Sequence, residues 1–503
     1  MSSRAGSRWW VLGVLCLAQL TVVLDNTVLN VAIPTLTERL GATTADVQWI
    51  VGAYSLAQAG LLVTAGGLAD RYGRRKVLLI GLALFGIGSA GAALAGGPAE
   101  LIAARAGMGV GGSMILATAM AVLVRTFTGP DQAKAIGALS GVMMLGFALG
   151  PLIGGALLDS FWWGSVFVVN IPVSLLALVA VAWLVPESSD PRGDRPDLLG
   201  AVLCTVGMVG VVYGITSGPG YGWGSGRTLL PGIVGLLVLT AFVLWERRIE
   251  HPLLDMGFFR NPAFRGSVSG GVLVAFGMGG SLFLLTQYLQ FVLRYDPLEA
   301  GIRTLPMALT VVAINLTGLG AKAGQRTGTP AAIAIGMAAM AAGLAAIALS
   351  GHAHSYPGTA GGLVLMGVGV GLAQPAMAGA LMGSIPPEKA GVGSGLFGTL
   401  SELGNSLGVA VLGAVLTARF AVVLHGPLAG HSGSLAEALG VAHGDPALTG
   451  QARRAFADGL TISQLIGAAA VLLGGLVAAR LLSRALPPAP AGGAPAEREA
   501  VAG

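Results

Sequence analysis

Fourteen stretches of this chain are apolar for long enough to cross a lipid bilayer, and that restricts its fold more than any other feature. A hydrocarbon layer about 30 Å thick takes roughly 20 apolar residues wound as a helix, which satisfies its own backbone polar groups while it spans. Runs of that kind fall near 9–33, 47–68, 77–97, 101–124, 135–158, 164–185, 198–217, 229–245, 266–292, 301–321, 330–350, 358–384, 393–420 and 459–482. Of 503 residues, 54% are hydrophobic and 10% charged, more apolar surface than a water-facing fold can hide. The 81 glycines suit helices that pack backbone against backbone. The expectation is an all-α integral membrane protein.

The opening segment carries Arg4 and Arg8 before its apolar run, as a secretory leader would, but it is too long for one and contains Asp25 and Asn30. It reads as the first span. An even number of spans puts both termini on one side. The connections on that side hold Arg71, Arg74, Arg75, Arg125, Arg192, Arg195 and the lysines Lys76, Lys134, Lys322 and Lys389. The opposite side has only Arg39, Arg227, Arg294, Arg303, Arg419, Arg453 and Arg454. The positive-inside rule therefore predicts cytoplasmic termini in a bacterial cell membrane. Residues 421–458 read as a long external loop, and 485–503, rich in Pro, Ala and Gly, as a disordered tail.

Several functions are disfavoured by the same residues. The net charge of +5 is spread in short clusters between apolar runs, so there is no continuous basic face for nucleic acid. Cys16 and Cys204 lie inside apolar segments and support neither a disulfide framework nor a metal site. No phosphate-binding G-x-x-x-x-G-K-[ST] sequence occurs, so no cofactor is expected and an ion gradient must supply the work. Each charge crossing about 100 mV is worth roughly 2.3 kcal/mol.

An internal repeat organises the spans. Gly67-Leu68-Ala69-Asp70-Arg71-Tyr72-Gly73 recurs weakly as Gly318-Leu319-Gly320-Ala321-Lys322-Ala323-Gly324; Met108-Gly109-Val110-Gly111 recurs as Met366-Gly367-Val368-Gly369; and Gly146, Gly150 and Gly155 recur as Gly404, Gly408 and Gly413. Duplicated six-helix halves are a transporter signature, with the substrate site between them near the bilayer midplane. The predicted organisation is a six-helix bundle over 1–185, two extra spans over 186–250 and a second six-helix bundle over 251–484. The repeat loses charge: Asp70 matches Ala321 and Arg105 matches Leu363, which concentrates the charged machinery in the first half.

These motifs carry a resemblance. Gly66-Gly67-Leu68-Ala69-Asp70-Arg71-Tyr72-Gly73-Arg74-Arg75, the run from Leu24-Asp25-Asn26-Thr27 to Ile33-Pro34, the segment Gly146 to Gly155 with Gly150-Pro151, and His251-Pro252-Leu253-Leu254-Asp255 resemble the fourteen-span drug:proton antiporters of the major facilitator superfamily along essentially the whole chain. Met108 stands where that family usually has Gln, and Gly164 and Ser165 where it commonly has Arg and Trp. The resemblance implies the major facilitator fold and efflux of drugs or antibiotics in exchange for protons, by a monomer.

Read beside that resemblance, the polar residues take these expected roles. Asp25 lies mid-helix, where an unpaired charged carboxylate costs several kcal/mol, and intramembrane Arg105 can approach or leave it, so the two are candidates for proton coupling. The alternative is an ion pair that only orients helices. Asp70, Arg71, Gly73, Arg74 and Arg125 form a candidate latch, with Asp70 expected to meet a facing helix N-terminus or Arg125. Gly146, Gly150, Pro151, Gly154 and Gly155 permit close packing and a bend, a candidate gate. Glu402, with Asn405 three residues on, is a second deep acid for a proton or a cationic drug. Asn30, Tyr54, Gln58, Gln287, Gln290, Asn315 and Gln374 are candidate polar lining of a mostly apolar cavity. A proton-coupled nutrient importer is the rival within transport; a membrane enzyme or sensor is disfavoured, since no histidine sits in a span core. The Ala-, Gly- and Arg-rich composition suggests an actinobacterial source and a natural antibiotic as cargo.

Overall fold

The computed structural model describes residues 2–127, 130–189, 197–250, 252, 254–351, 356–385 and 390–485 of the 503. Arg192, Arg195, His251, Leu253, Lys389 and the tail 486–503 lie outside the described residues. Seventeen α-helices follow in order: α1 (Ser2–Leu40), α2 (Thr44–Tyr72), α3 (Arg74–Ala93), α4 (Pro98–Thr126), α5 (Pro130–Ser160), α6 (Ser165–Val168), α7 (Asn170–Leu184), α8 (Leu198–Tyr221), α9 (Gly226–Glu246), α10 (Pro262–Gln287), α11 (Pro297–Thr317), α12 (Leu319–Thr327), α13 (Thr329–Gly351), α14 (Tyr356–Gly383), α15 (Ala390–Val423), α16 (Leu435–Val441) and α17 (Pro446–Ala485). No strand occurs among the described residues.

Fourteen helical runs are long and apolar enough to span, as the sequence predicted, with α6 and α7 joined as one and α10 prolonged by a π turn over Tyr288–Val292. Helix starts are written locally. Thr43 and Asp46 close a capping box on α2, Asp296 accepts from the Glu299 amide at α11, and Pro98, Pro262 and Pro297 open their helices. Large apolar side chains point outward, Trp183 at 84% exposure and Leu316 at 79%, as expected where lipid is the solvent.

The segment 421–458, expected as a loop, is largely helical. Asp445 caps α17 by accepting from the amides of Ala447 at 2.7 Å and Leu448 at 3.2 Å, and Leu428, Leu435 and Ala438 of the preceding turn and α16 are buried beneath it. The Asp445-Pro446 start signal went unread because the first turns of α17 carry too little apolarity to register as part of a span.

The repeat is visible as packing. A methyl group added at Gly81 of α3 would lie 3.0 Å from the Gly111 carbonyl oxygen of α4; one added at Gly336 of α13 would lie 3.0 Å from that of Gly369 of α14. Gly88 likewise faces Met108, and Gly343 faces Met366. The offsets are 255 residues for the first helix of each pair (81 to 336, 88 to 343) and 258 for the second (111 to 369, 108 to 366). The same alignment matches Gly73, at φ +117° between α2 and α3, with Gly328, at φ +83° between α12 and α13. The weak sequence match through Gly324 was thus one helical turn out of register, and Asp70 corresponds to Gln325.

The α8/α9 hairpin is zipped by glycines, Gly210 against Gly235 and Gly214 against Gly232. Helix α8 packs on both α2 and α15, sharing an apolar cluster of Leu56, Ala59, Met208, Val212 and Ala410, so the hairpin lies across the seam between the repeats. Helix α9 faces outward, with Leu230 66% and Leu237 62% exposed.

Because Gly343 meets the Gly362 carbonyl with no slack, 2.6 Å from where a Cβ would stand, Gly343→Val should destabilise the fold by about 1–3 kcal/mol, seen as a lower melting temperature of the purified protein. Gly107→Ala, where nothing lies within 4 Å, should melt as wild type.

Candidate functional site

Three helices of the first repeat, α2, α4 and α7, converge on Asp25 of α1. The residue sits midway along α1 at 2% exposure, and Arg105 of α4 is fully buried against it. One guanidinium nitrogen donates to Asp25 Oδ2, and Arg105 Nε donates to the Ile50 carbonyl of α2 at 3.2 Å. The guanidinium carbon stands 4.2 Å from the centre of the Tyr54 ring, a cation–π contact. Asn170, the first residue of α7, donates through Nδ2 to Asp25 Oδ1 at 2.9 Å. Each carboxylate oxygen therefore holds one donor. Such a pair survives in a low-dielectric interior only when its remaining polar atoms are also answered.

Not all are. Arg105 Nη2 and both amide atoms of Gln58 are buried without a hydrogen-bond partner, and the Tyr54 hydroxyl faces the Asn26 side chain without a well-formed bond. Gly109 and Gly112 let α4 approach this group, since a Cβ on Gly112 would stand 2.8 Å from the Tyr54 hydroxyl and 3.3 Å from Gln58 Nε2. Across the seam, Ser55 of α2 lies against the Glu402 carboxylate of α15, Asn405 Nδ2 donates to Ser55 Oγ at 3.3 Å, and Glu402 Oε2 and Ser406 Oγ are buried without partners. Tyr54 lies in the electrostatic field of Asp25, Arg105 and Glu402 alike. The result is one polar core shared by both repeats, with two acids, one base and several hydrogen-bonding atoms left open for a guest.

Of the expected lining residues, Tyr54, Gln58 and Asn405 are brought together here. Gln290 instead bridges to the Val31 carbonyl at 2.8 Å, while Asn30 and Gln287 donate to their own helices. Asn315 does not line the core: it is exposed and donates to Val311 of its own helix. Gln374 is half-buried on α14.

The glycines of α5 tie the core to the contact between repeats. Gly146 packs on Leu20 and Val23, Gly150 on Thr27 and Gly154 on Val28, all of α1, and Thr27 Oγ1 donates to the Gly146 carbonyl at 3.3 Å. Gly155 faces Pro297 and Leu298, and Pro151 faces Gly301, all three on α11. These contacts, with Gln290 to Val31 and Thr44 N to Gly433 O at 2.8 Å, join the repeats at the end away from the termini.

The expected latch is arranged differently. Asp70 pairs with Arg74 of its own loop, at 2.6 and 3.0 Å, not with Arg125 or a facing helix N-terminus. Arg71 lies over the neighbouring Tyr72 ring. The N-terminus of α3 is served by the strap after α7: Glu187 Oε1 accepts from the Arg75 amide at 3.2 Å, and the Ser188 carbonyl accepts from that of Arg74 at 3.0 Å. Gly73 suits that turn because its φ of +117° is one that L side chains rarely adopt, and it leaves room for the Glu187 carboxylate. Arg125 stands at the end of α4, beside Glu187 and Ser188 in the lining of a cavity of about 420 Å³.

Sequence reasoning missed Asn170, Ser55 and Glu187. Only Glu187 had a readable signal: α3 has neither a capping side chain nor an acid in its first turn, so its amides needed an acceptor from elsewhere.

The sequence profile of the Major Facilitator Superfamily matches residues 15–409. The "Multidrug efflux pump LfrA" of Mycolicibacterium smegmatis is 35% identical over 486 residues, 94% of this chain and 96% of that protein. The "Tetracenomycin C resistance and export protein" of Streptomyces glaucescens is 34% identical, covering 83% of this chain and 78% of that one. The "Puromycin resistance protein pur8" of Streptomyces alboniger is 35% identical over 83% of each. A bacterial homologue of the human lysosomal transporter Spinster shares the fold, with a TM-score of 0.68 at 18% identity over 95% of this chain and 98% of that chain.

The alignment of repeats supplies its own control. The contacts of Gly146 with Val23 and Gly150 with Thr27 recur as Gly404 with Val272 and Gly408 with Phe276, an offset of 249 (23 to 272, 27 to 276), which matches Asp25 with Val274 as Arg105 matches Leu363. Arg105→Leu should cost about 3–5 kcal/mol by stranding a buried carboxylate. The double variant Asp25→Val/Arg105→Leu should regain most of that, leaving the Asn170 amide unanswered at about 1–3 kcal/mol. Melting of the purified variants tests this; a double variant no more stable than Arg105→Leu would show that the pair does not act as a unit.

Proposed function

The chain belongs to the major facilitator superfamily, as a multi-pass transporter of the cell membrane, and from that premise we propose that it exports drug-like organic molecules, antibiotics among them, in exchange for protons. The export reading rests on the relatives, which span most of the chain and are named as efflux, export or resistance proteins. The coupling reading rests on one observation: Asp25, the deepest acid of the first repeat, is held by groups on other helices. A relative movement of α1 and α4 changes what the carboxylate touches, and with it the cost of its charge.

In this reading the cycle has two arrangements. With Arg105 on Asp25 the carboxylate stays ionised and the open atoms of Tyr54, Gln58 and Glu402 receive cargo. As the repeats rock and Arg105 withdraws, Asp25 takes a proton from the outer side, and the return stroke releases it inside. The bias of Arg and Lys supports placing the terminus-bearing end in the cytoplasm, so the joined far end would be the closed outer gate. The α5 glycines couple site to gate, since the helix touching Thr27 also touches α11. The loop of Asp70 and Arg74, strapped by Glu187, is then a latch holding α2, α3 and the end of α7 as one body. The chain acts as a monomer in this scheme and needs no cofactor.

Glu402 gives the core a second acid, so a single positive charge on the cargo is matched while a second is not. Loss of that acid should lower export of a monocationic dye by about tenfold in Glu402→Gln, the equivalent of one charge-assisted hydrogen bond, with a neutral antibiotic little affected. An equal loss for both would remove Glu402 from cargo recognition.

Expression in a pump-deficient host against an antibiotic panel tests export, and everted vesicles test coupling. Wild type should raise resistance, and adding an uncoupler should make its cargo accumulate inside; a proton-coupled importer would show the opposite. Asp25→Asn should be produced normally and confer no resistance. Resistance at the wild-type level in that variant would overturn the role given to Asp25.

A further inference from the structure

Asn170 sits in the first turns of the sixth span, at the junction of α6 and α7, where the backbone stays helical through Val169 (φ −58°, ψ −28°) and Pro172 follows two residues on. There it is buried in the polar core at 2% exposure, and Nδ2 donates to Asp25 Oδ1. No residue of α7 can ionise, and toward Asp25 the span offers the Asn170 amide.

The two donors on Asp25 differ in kind. A guanidinium has only N–H groups and can serve only the carboxylate. A primary amide carries a donor and an acceptor on one carbon, and turning it about the last side-chain bond exchanges them. We propose that Asn170 is a positioning residue that satisfies Asp25 in both protonation states, donating from Nδ2 to the carboxylate and accepting at Oδ1 from the carboxylic acid.

The proton step then balances without any further group. Hydronium at the outer side breaks one O–H bond and leaves as water, an O–H bond forms on Asp25 Oδ1, and the Asn170 amide turns to accept it as Arg105 withdraws. On the return stroke the O–H bond breaks toward inner water and the amide turns back. Without Asn170 the acid would lose its partner from α7 as Arg105 leaves. The other ionisable groups facing Asp25 are Arg105 from α4 and Tyr54 from α2, with Glu402 of α15 beyond them. Helix α10 carries only Arg265, at its far start; α11 carries Glu299 and Arg303 in its first two turns; and α5 carries Asp131, Lys134 and Asp159 at its ends.

This inference rests on the coupling reading, and the experiment separates the two. Purified wild type, Asn170→Leu, Asn170→Ala and Asn170→Ser are reconstituted in liposomes, and ethidium transport driven by a fixed pH difference is followed across a range of mean pH. Ethidium-induced proton release is read in unbuffered detergent solution. In the Leu and Ala variants the pH midpoints of both signals should move about one unit to the alkaline side, tenfold in proton affinity, because of the two bonds lost the charge-assisted one to the carboxylate is the stronger. Ser, which can also donate and accept, should return the midpoint toward wild type. The Ala variant adds no volume and keeps the test open if Leu does not fold, and melting temperatures separate a shifted profile from a damaged protein. Midpoints unchanged in Leu or Ala, with wild type releasing protons, would overturn the role of Asn170 alone. A wild type that releases no proton at any pH would overturn the coupling reading and this one with it.

Discussion

A carboxylate and a guanidinium facing each other inside a lipid-solvated bundle are the constraint around which the first repeat is built. Neither charge tolerates the interior alone, since the effective cost of desolvating each is several kcal/mol. The fold answers by enclosing both: α1 brings Asp25, α4 brings Arg105, α2 gives a carbonyl and an aromatic face, and α7 gives an amide. Four spans are thereby held to one point by directional bonds, which apolar contact in lipid could not do. The pair is also the element most able to switch, because losing one partner changes the energy of the other so steeply.

Around that point, glycine decides how the helices move. Helix α5 carries Gly146, Gly150 and Gly154 against the helix that bears Asp25, and Gly155 and Pro151 against α11 of the other repeat. One rigid helix thus reads the core on one side and the contact between repeats on the other. The opposite seam is built differently, with α2 on α15 and α8 laid over both. A rocking motion that must keep α8 packed is therefore guided toward opening at α5 and α11.

Much of this was legible in the sequence, because the bilayer enforces a length and polarity code on each span. All fourteen runs stand as helices, and Asp25, Arg105, Tyr54, Gln58, Glu402 and Asn405 were recognisable because polar atoms in lipid are conspicuous. What could not be read is which polar groups answer each other. Asp70 was expected on Arg125 and found on Arg74, since a loop's own i,i+4 partner is always within reach. Asn170 lies within an apolar run, and nothing in the sequence says that its amide meets Asp25 across the bundle. Asn315 looked like cavity lining, yet a face of α11 that is apolar enough for lipid tolerates one amide bonded to its own backbone.

The second repeat shows what the first was altered to do. Its helices cross with the same glycine contacts, so packing does not require charge at the Asp25 and Arg105 positions; Val274 and Leu363 fill them and are buried as deeply. A pair kept only to hold the bundle together would be poor value beside that apolar solution, which a buried ion pair rarely exceeds in stability. That comparison supports the proposed coupling role, since changing its proton occupancy is a property that valine and leucine lack. The second repeat keeps its one deep acid, Glu402, on the helix that faces α2, where it meets the open side of the same core. In the proposed cycle the acid surrounded by partners takes the proton, and the acid with an open oxygen takes the cargo.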